Sequence, residues 1–350
     1  MGVRCVRPLT VAIVGATGAV GEELLQILYQ RRFPVGELRL LASSGSAGRM
    51  ISTPGGEVRV EAASTESFRG VDVAFFSAGG AVSRELAPAA AAAGAVVIDN
   101  TSAFRLEPDV PLVVPEVNGK AALSHQGIIA NPNCSTIIML VALNPLYRHG
   151  GIRRIVVSTY QAVSGAGRRA MEELLGQVKD FAAGRESEAR VLPVASHPRH
   201  YPILFNLIPQ VDVFAEAGYT REEWKMVKET QKIWNDPGVR ITATTVRVPV
   251  LRCHAESINI ETERKVTAEE ARQILAEAPG VSVVDDPAGM EYPMPLYAAG
   301  KDDVFVGRIR EDLSIERGLN LWAVGDQIRK GAALNAVQIA ELLLAEGRLG

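Results

Sequence analysis

Short apolar runs alternate with helix-like stretches along the first third of the chain. Residues 9–14 form a mostly apolar run followed by Gly15, which is typical of a strand buried in a parallel sheet. Apolar residues then recur at helical spacing from Val20 to Leu28. The pattern continues with strands at 38–42, 71–77 and 95–99 and an alanine-rich helix at 83–93. Strands and helices alternating at this spacing indicate a doubly wound parallel sheet.

The pattern changes beyond residue 134, where strands follow each other with fewer helices between them. Strands are predicted at 154–160, 241–248, 256–261 and 304–311, and helices at 166–181, 220–234 and 267–276. Such an order suggests a second, α+β domain with a mostly antiparallel sheet. The stretch 323–346 is rich in Ala, Leu, Ile and Val and predicts a final helix. Residues 1–8 predict a short extension before the first strand.

Composition narrows the class of protein. The 350 residues are long enough for two domains, and a formal net charge of −3 gives no reason to expect nucleic acid or an anionic membrane as partner. No apolar run reaches the roughly 18 residues of a membrane-spanning helix, and the N-terminus lacks a signal-peptide core. Cys5, Cys134 and Cys253 are too few and too scattered for a disulfide framework or a zinc site. We therefore expect a metal-free protein in a reducing cytoplasm.

Cys134 is the first candidate for chemistry. It follows Pro132 and Asn133 and precedes the apolar run 137–143, which predicts a position in the first turn of a buried helix. The helix dipole favours a thiolate there, and a thiolate is a strong nucleophile. The alternative is a small buried hydrophobic residue, the commonest role of a free cysteine. Local context alone supports the two interpretations equally.

A glycine-rich loop is the second candidate. Gly15, Gly18 and Gly21 follow the first strand and open the first helix, which is the context of a dinucleotide-binding loop. Glycines there allow the backbone to approach a pyrophosphate, whose charge the helix N-terminus attracts. The spacing is G-x-x-G-x-x-G instead of G-x-G-x-x-G, so an ordinary tight turn is the alternative.

The end of the second strand bears on the choice between NAD and NADP. It runs into Ser43, Ser44 and Ser46 with Arg49 nearby, and it lacks the Asp or Glu that an NAD site requires. Three hydroxyls and a guanidinium suit a 2′-phosphate, so the loop favours NADP. A solvated polar loop is the alternative.

Together these segments resemble the aspartate-β-semialdehyde dehydrogenase family of the bacterial type, from about residue 9 to the C-terminus. Seven motifs carry the resemblance, and their joint occurrence in order is far more specific than any one of them. They are GATGAVG (15–21), DNTSAFR (99–105), NPNCST (131–136), TYQAVSGAG (159–167), EEWK (222–225), RVPVLRCH (247–254) and RKGAALNA (329–336). The resemblance implies a Rossmann-like NADP-binding domain over 1–133 and 331–350, and an α+β catalytic and dimerisation domain over 134–330.

The resemblance also implies a reaction, the reversible NADP-dependent conversion of aspartate semialdehyde and phosphate into aspartyl phosphate. In the biosynthetic direction Cys134 would attack the acyl phosphate, and hydride from NADPH would reduce the thioester to a hemithioacetal that collapses to the aldehyde. His254 would be the general acid/base, a task that suits an imidazole because its ordinary pKa lies near neutrality. A homodimer acting in lysine, diaminopimelate, threonine and methionine biosynthesis is expected.

Binding roles follow from the same resemblance. Arg247 would take the substrate carboxylate, since a guanidinium binds a carboxylate at two atoms, and Glu222 the ammonium. Gln161 would orient the reacting substrate. Phosphate would be held by Arg105, Lys225 and Asn133. The cofactor would be held by Gly15, Thr17, Gly18, Ala19, Val20, Ser43, Gly45, Ser46, Ser164, Gly165 and Asn335.

Two of these residues share a predicted helix. Thr220 with Glu223 in the capping-box position predicts the start of this helix. Glu222 and Lys225 are three positions apart, a spacing that places both on one helical face. Without the resemblance, a surface ion pair would be the preferred interpretation.

Two further points test the resemblance. The family commonly has arginine where this chain has Gly45, so a charge-assisted contact to the 2′-phosphate is lost and NAD tolerance is open. Arg247 and His254, seven positions apart, would point to opposite faces of one regular strand. Pro249 therefore predicts a bend or bulge between them.

Two alternatives share some of these motifs. N-acetylglutamyl-phosphate reductase would have the glycine loop and the cysteine but should lack the pair Glu222 and Arg247. A catalytically silent paralogue could bind NADP as a structural or regulatory module. The presence of both Cys134 and His254 argues against it.

Overall fold

The computed structural model describes residues 7–349, so the N-terminal extension predicted from the sequence lies largely outside the described residues. The chain divides into two compact units. Unit 1 comprises Met1–Asn133 and Ala332–Gly350, and unit 2 comprises Cys134–Gly331.

The elements within residues 7–349 follow each other in this order along the chain. The strands are β1 (Leu9–Val14), β2 (Val35–Ala42), β3 (Met50–Thr53), β4 (Gly56–Ala62), β5 (Val73–Phe76), β6 (Val96–Asp99), β7 (Ile128–Ala130), β8 (Ile152–Gln161), β9 (Arg240–Arg247), β10 (His254–Thr262), β11 (Val281–Val283), β12 (Val304–Glu311) and β13 (Gly318–Gly325). The helices are α1 (Ala19–Gln30), α2 (Gly80–Ala92), α3 (Pro115–Asn118), α4 (Cys134–Gly150), α5 (Arg168–Ala182), α6 (Arg221–Trp234), α7 (Ala268–Ala276), α8 (Pro295–Ala298) and α9 (Leu334–Ala345).

Unit 1 contains a sheet with the strand order β3-β4-β2-β1-β5-β6-β7. All its pairs are parallel except the edge hairpin β3–β4. Side chains of β1 alternate between two cores, because successive residues of a strand point to opposite faces. Val11 and Ile13 pack with α1 and α9, whereas Ala12 and Val14 pack with α2. Helices on both faces confirm the predicted doubly wound, Rossmann-like sheet.

Unit 2 contains a sheet with the order β11-β12-β13-β10-β8-β9. The pairs β12–β13, β13–β10 and β10–β8 are antiparallel, and the two outer pairs are parallel. Helix α4 packs against this sheet, where a Cβ on Gly325 would lie 2.8 Å from Ile138. The predicted α+β domain with a mostly antiparallel sheet is confirmed.

The final helix predicted over residues 323–346 is wrong in its first part. Residues 323–325 belong to strand β13, which lies between β12 and β10, and α9 begins only at Leu334 after a π-helical turn, Arg329–Ala333. Leu321, Ala323 and Val324 are all buried, so apolar residues occupy both faces of this strand. Periodicity cannot distinguish such a strand from a buried helix.

Candidate active site

Cys134 is the first residue of α4, as its sequence context predicts. Its side chain is partly exposed, whereas residues 137–143 of the same helix are buried. The sulfur therefore lies at the positive end of the helix dipole, which favours a thiolate. A Cβ on Gly331 would come 2.9 Å from the Cβ of Cys134, so this neighbour must be small. A partly exposed sulfur at a helix start is suited to reaction and does not fit the buried-core alternative.

Three of the predicted residues stand side by side across the sheet of unit 2. Arg247 at the end of β9 pairs with Gln161 at the end of β8. His254 opens β10, whose next residue, Ala255, pairs with Tyr160. His254 therefore lies beside Gln161, on the side opposite to Arg247. Strand pairing therefore places Arg247, Gln161 and His254 next to each other in one row across the sheet.

The chain leaves the sheet between Arg247 and His254, as Pro249 predicts. Strand β9 ends at Arg247, and the carbonyl of Val250 accepts a hydrogen bond of 2.9 Å from the Val163 amide. The interruption is larger than the predicted bend, because β9 and β10 are separate strands that flank β8 on opposite sides. The connection thereby brings two residues seven positions apart to either side of Gln161.

Gly165 marks the point at which these side chains converge. A Cβ at this position would lie 2.8 Å from Nη1 of Arg247, 3.0 Å from Cε1 of His254 and 3.1 Å from its Nε2. Such distances are too short for an unstrained contact. The missing side chain therefore leaves the guanidinium and the imidazole accessible from the same space.

Arg247 is buried and anchored through one end of its guanidinium. Its Nη1 donates a hydrogen bond of 2.7 Å to the carbonyl of Ala162, while Nε has no partner among the described residues. Burial lowers the pKa of Arg247, and the negative charges of Glu222 and Cys134 oppose that effect. A buried guanidinium remains charged even so, and it retains donors for an incoming carboxylate.

His254 is completely buried, and its tautomer is set by the backbone. Its Nδ1 accepts a hydrogen bond of 3.1 Å from the amide of Ala162, which can only donate. The proton of the neutral ring is therefore on Nε2, which has no partner among residues 7–349. Burial, followed by the charge of Arg247, lowers the pKa of His254 to about 3, against the opposing effects of Glu222 and the Cys253 carbonyl. The imidazole is neutral in this state and presents an N–H donor.

Gln161 connects the row to neighbouring elements. Its side-chain Nε2 donates to Oγ of Ser135 at 2.9 Å and to Oε1 of Glu222 at 3.2 Å. Oγ1 of Thr159 lies 3.4 Å from the same nitrogen. These contacts orient the amide of Gln161 beside the residue that follows Cys134.

Helix α6 presents Glu222 and Lys225 on one face, as their spacing predicts. Thr220 caps the helix and forms the predicted capping box with Glu223. Nζ of Lys225 donates to Oε2 of Glu222 at 3.1 Å and to Oδ2 of Asp212 at 2.9 Å. The Glu222 side chain is 6% exposed, so the surface-ion-pair interpretation is wrong for this carboxylate.

In unit 1 the glycine loop forms a tight strand-to-helix turn. Gly15 has a φ of 93°, and a Cβ on Gly21 would lie 2.3 Å from the carbonyl oxygen of Gly15. Gly18 is the N-cap of α1 and makes no side-chain capping hydrogen bond. Thr17, Ala19 and Val20 complete this segment. Its geometry fits an anion at the start of α1.

The other predicted residues of unit 1 lie in the segments that follow β2, β6 and β7 or on α9. Ser43, Gly45 and Ser46 form the turn after β2, where a Cβ on Gly45 would meet nothing within 4 Å. Arg105 is buried and donates to the carbonyls of Asn131 at 2.9 Å and Asn100 at 3.0 Å. Asn133 and Asn335 are also buried, and Asn335 donates to Asn131 at 2.7 Å and to the Val113 carbonyl at 3.0 Å.

Two buried residues near the row were not predicted. Glu256 follows His254 by two positions, hence on the same face of β10, and neither of its carboxyl oxygens has a partner among the described residues. Burial and the nearby Glu222 raise its pKa well above the ordinary value. Gln327 donates to Oγ of Ser164 and accepts from the Cys253 amide at 2.8 Å. The i, i+2 spacing from His254 could have identified Glu256, whereas no local signal marks Gln327.

Among residues 7–349, no group of three or more His, Cys, Asp and Glu side chains could hold a metal ion. Nor does any helix in that range have the length and apolar character needed to cross a membrane.

Two protein-family models together match most of the chain. Residues 10–125 match "Semialdehyde dehydrogenase, NAD binding domain", and residues 143–330 match "Semialdehyde dehydrogenase, dimerisation domain". Aspartate-semialdehyde dehydrogenase of Aquifex aeolicus is 56% identical over 340 residues, which cover 96% of this chain and 98% of that protein. The Bacillus subtilis enzyme of the same name is 52% identical and covers 96% of this chain and 98% of its own length.

Solved structures agree with these matches. A crystal structure of aspartate semialdehyde dehydrogenase II from Vibrio cholerae complexed with ASA has a TM-score of 0.92 and 49% identity, covering 97% of this chain and 99% of its own. Aspartate semialdehyde dehydrogenase from Candida albicans, crystallised with NADP, has a TM-score of 0.75 and 26% identity, with the same two coverages.

Proposed function

The chain belongs to the aspartate-semialdehyde dehydrogenase family, oxidoreductases of amino-acid biosynthesis, and from this premise we propose its reaction and the roles of its residues. It interconverts L-aspartate-4-semialdehyde plus phosphate and L-aspartyl-4-phosphate, with NADP as the cofactor and a thioester on Cys134 as the intermediate. This step serves lysine, diaminopimelate, threonine and methionine biosynthesis. The observation that carries the proposal is the convergence of Arg247 and His254 at Gly165, with Cys134 acting electrostatically on Arg247.

Cys134 is the nucleophile. In the biosynthetic direction its sulfur attacks the acyl carbon of aspartyl phosphate, a C–S bond forms, and the C–O bond to phosphate breaks. Its place at the start of α4 and the nearby guanidinium of Arg247 both stabilise the thiolate that this step requires. After reduction, the C–S bond breaks and the electron pair returns to the sulfur, which regenerates the thiolate.

Substrate recognition uses charge complementarity. Arg247 binds the α-carboxylate and Glu222 the α-ammonium, while Gln161 orients the reacting end. The amide of Gln161 joins Glu222 to Ser135, the residue after Cys134, so one side chain links the ammonium site to the nucleophile. Desolvated opposite charges in this arrangement discriminate against substrates that lack the free amino acid end.

His254 acts on the acyl oxygen and is the general acid/base. Its Nε2–H faces the space beside Gly165, where it can donate to the oxygen as negative charge develops in the tetrahedral state. In the ligand-free protein the charge of Arg247 contributes to its low pKa. A substrate carboxylate on Arg247 offsets that charge and moves the pKa of His254 towards its ordinary range, where proton transfer becomes effective.

Phosphate is bound by Arg105, Lys225 and Asn133. The carbonyls of Asn131 and Asn100 hold the guanidinium of Arg105 in a fixed orientation. A prepositioned guanidinium offers the charge-assisted hydrogen bonds that a phosphate prefers. Lys225 adds a point charge that can follow the phosphate as it leaves.

Unit 1 fits a dinucleotide at the glycine loop. The helix start at Gly18 has no capping side chain, and neither Gly15 nor Gly21 has room for a Cβ. These residues and Thr17, Ala19 and Val20 would hold the pyrophosphate, while Ser164, Gly165 and Asn335 would contact the nicotinamide end. Bound NADPH supplies the hydride that reduces the acyl group. Ser43, Ser46 and Arg49 would hold the 2′-phosphate, and Gly45 leaves NAD tolerance open.

The two units have separate tasks in this proposal. Unit 1 binds NADP, and unit 2 carries the acyl chemistry and forms a homodimer, in keeping with its match to a dimerisation domain. A cytoplasmic location is part of the proposal, because a thiol nucleophile needs a reducing compartment.

Cys134→Ala tests the proposal. We expect loss of phosphate-dependent NADP reduction with aspartate semialdehyde, by a factor of at least about 10⁴, because no thioester can form. Cys253→Ala is the matched control, since burial raises the pKa of that thiol and makes it unreactive. Unchanged turnover in Cys134→Ala contradicts the mechanism. Turnover of the wild-type protein with N-acetylglutamate semialdehyde but not aspartate semialdehyde contradicts the substrate.

A further inference from the structure

Lys225, which the proposed function assigns to phosphate, already lies between two carboxylates. Its Nζ donates to Oδ2 of Asp212 at 2.9 Å and to Oε2 of Glu222 at 3.1 Å. Both carboxylates bind the same ammonium, so a phosphate that approaches Lys225 competes with them for its charge and its donors. Phosphate displaces most readily the carboxylate that is best solvated without Lys225.

Burial decides which carboxylate this is. The Glu222 side chain is 6% exposed and also accepts from Gln161, whereas the Asp212 side chain is 31% exposed. A buried carboxylate is strongly destabilised if Lys225 leaves it before the substrate ammonium has bound, whereas a partly exposed carboxylate is rehydrated at any stage. Asp212 is thus the partner that can exchange.

Asp212 is positioned by its own loop. Its backbone has a φ of 67°, which is uncommon for a residue other than glycine. Its Oδ1 accepts from the Val213 amide at 2.8 Å, and its carbonyl accepts from Nε2 of Gln210 at 3.1 Å. Ile208 in the same segment pairs with Arg247 through backbone hydrogen bonds of 2.8 and 3.0 Å. The loop therefore presents a fixed carboxylate to Lys225.

We propose that Asp212 sets the affinity for phosphate: it occupies the ammonium of Lys225 in the ligand-free enzyme and gives it up to phosphate. The inference rests on the proposed function, in which Lys225 binds phosphate. Asp212 competes with phosphate for the same cation, so it weakens phosphate binding. Weaker binding speeds the release of phosphate after the acyl group has moved to Cys134.

Asp212→Asn tests this competition, because it removes the charge and preserves the shape. We expect the KM for phosphate in the oxidative direction to fall about three- to tenfold, and the KM for aspartate semialdehyde to stay unchanged. The inhibition constant of phosphate as a product in the reductive direction should fall by the same factor, since the same phosphate site governs both constants. An unchanged or raised KM for phosphate overturns the proposal.

Glu216→Gln is the matched control. Oε1 of Glu216 accepts from Nζ of Lys228 at 3.3 Å. Lys228 lies on α6, three residues after Lys225, so the substitution removes one negative charge from a neighbouring ion pair of the same helix. We expect no change in either KM. An equal fall in the phosphate KM of both variants would mean a general effect of surface charge, and would overturn a specific role for Asp212.

Lys225→Met distinguishes failure of this inference from failure of the proposed function. If it raises the KM for phosphate while Asp212→Asn has no effect, Lys225 binds phosphate without competition from Asp212. If it leaves that KM unchanged, the phosphate role of Lys225 is wrong, and the inference fails with it. Thermal unfolding of each variant verifies that the fold is intact.

Discussion

The glycine loop of unit 1 and the side-chain row of unit 2 are built in opposite ways. The loop is a continuous segment of seven residues, from Gly15 to Gly21, and its form depends on side chains that are absent. The row takes Gln161, Arg247 and His254 from three strands, and its form depends on side chains that strand pairing brings together. One region can be recognised from local spacing, whereas the other exists only in the folded sheet.

The row of unit 2 also depends on one glycine. Gly165 leaves the space in which Arg247 and His254 converge. In both regions a glycine therefore allows the backbone to lie close to other groups. In unit 1 those groups would be the cofactor, and in unit 2 they are the side chains of Arg247 and His254.

The largest expected effect comes from filling that space. Gly165→Ala should lower kcat/KM about 100-fold, since a displacement of about 1 Å of catalytic groups has that order of effect. Its Cβ would lie 2.8 Å from Nη1 of Arg247. Steady-state kinetics measure the loss. Gly176→Ala on α5 is the control, because a Cβ there meets nothing within 4 Å and should leave activity unchanged. Equal activity of both variants would contradict the assigned role of Gly165.

A smaller effect concerns Glu256, the buried carboxyl beside the row. Its folded-state pKa is raised above the ordinary value of 4.5, so its contribution to stability is complete below that value and is lost as pH rises towards the raised pKa. Gln cannot ionise, so the free energy of unfolding of Glu256→Gln should increase relative to that of the wild-type protein as pH rises through this window. The relative increase is about 1.4 kcal/mol per pH unit, or about 2 kcal/mol between about pH 5 and pH 6.5. Thermal or urea unfolding at both pH values measures the difference. A difference that does not change with pH would refute the buried neutral carboxyl.

The smallest expected effect concerns the turn after β2 in unit 1. Gly45→Arg adds a guanidinium to a turn that has room for it, because a Cβ there meets nothing within 4 Å. We expect the ratio of kcat/KM for NADPH to that for NADH to rise about tenfold, the size of one charge-assisted hydrogen bond. Gly45→Met has a similar reach without the charge and should leave the ratio unchanged. A rise with both variants, or with neither, would contradict a 2′-phosphate site in this turn.

Local signals predicted much of the fold. The strands and helices of both units lie within a few residues of their predicted positions where periodicity was clear, as in β1 and in α6 with its Thr220 cap. Prediction failed for β13, because a strand buried on both faces has no alternation that distinguishes it from a helix. The edge hairpin β3–β4 also escaped prediction, since most of its residues are exposed and carry little apolar pattern.

For the candidate site, the residue types and their local settings can be read from short sequence segments: a thiol at a helix start, a glycine loop after a strand, and an acidic and a basic residue on one helical face. These follow from interactions between neighbours in the chain, so spacing is enough to find them. Three other features arise only when distant segments meet in the fold: Arg247 and His254 flank Gln161, Ala162 sets the tautomer of His254, and Asp212 pairs with Lys225. Those contacts join residues from 13 to 93 positions apart, and no local periodicity specifies which strands pair or which loops meet.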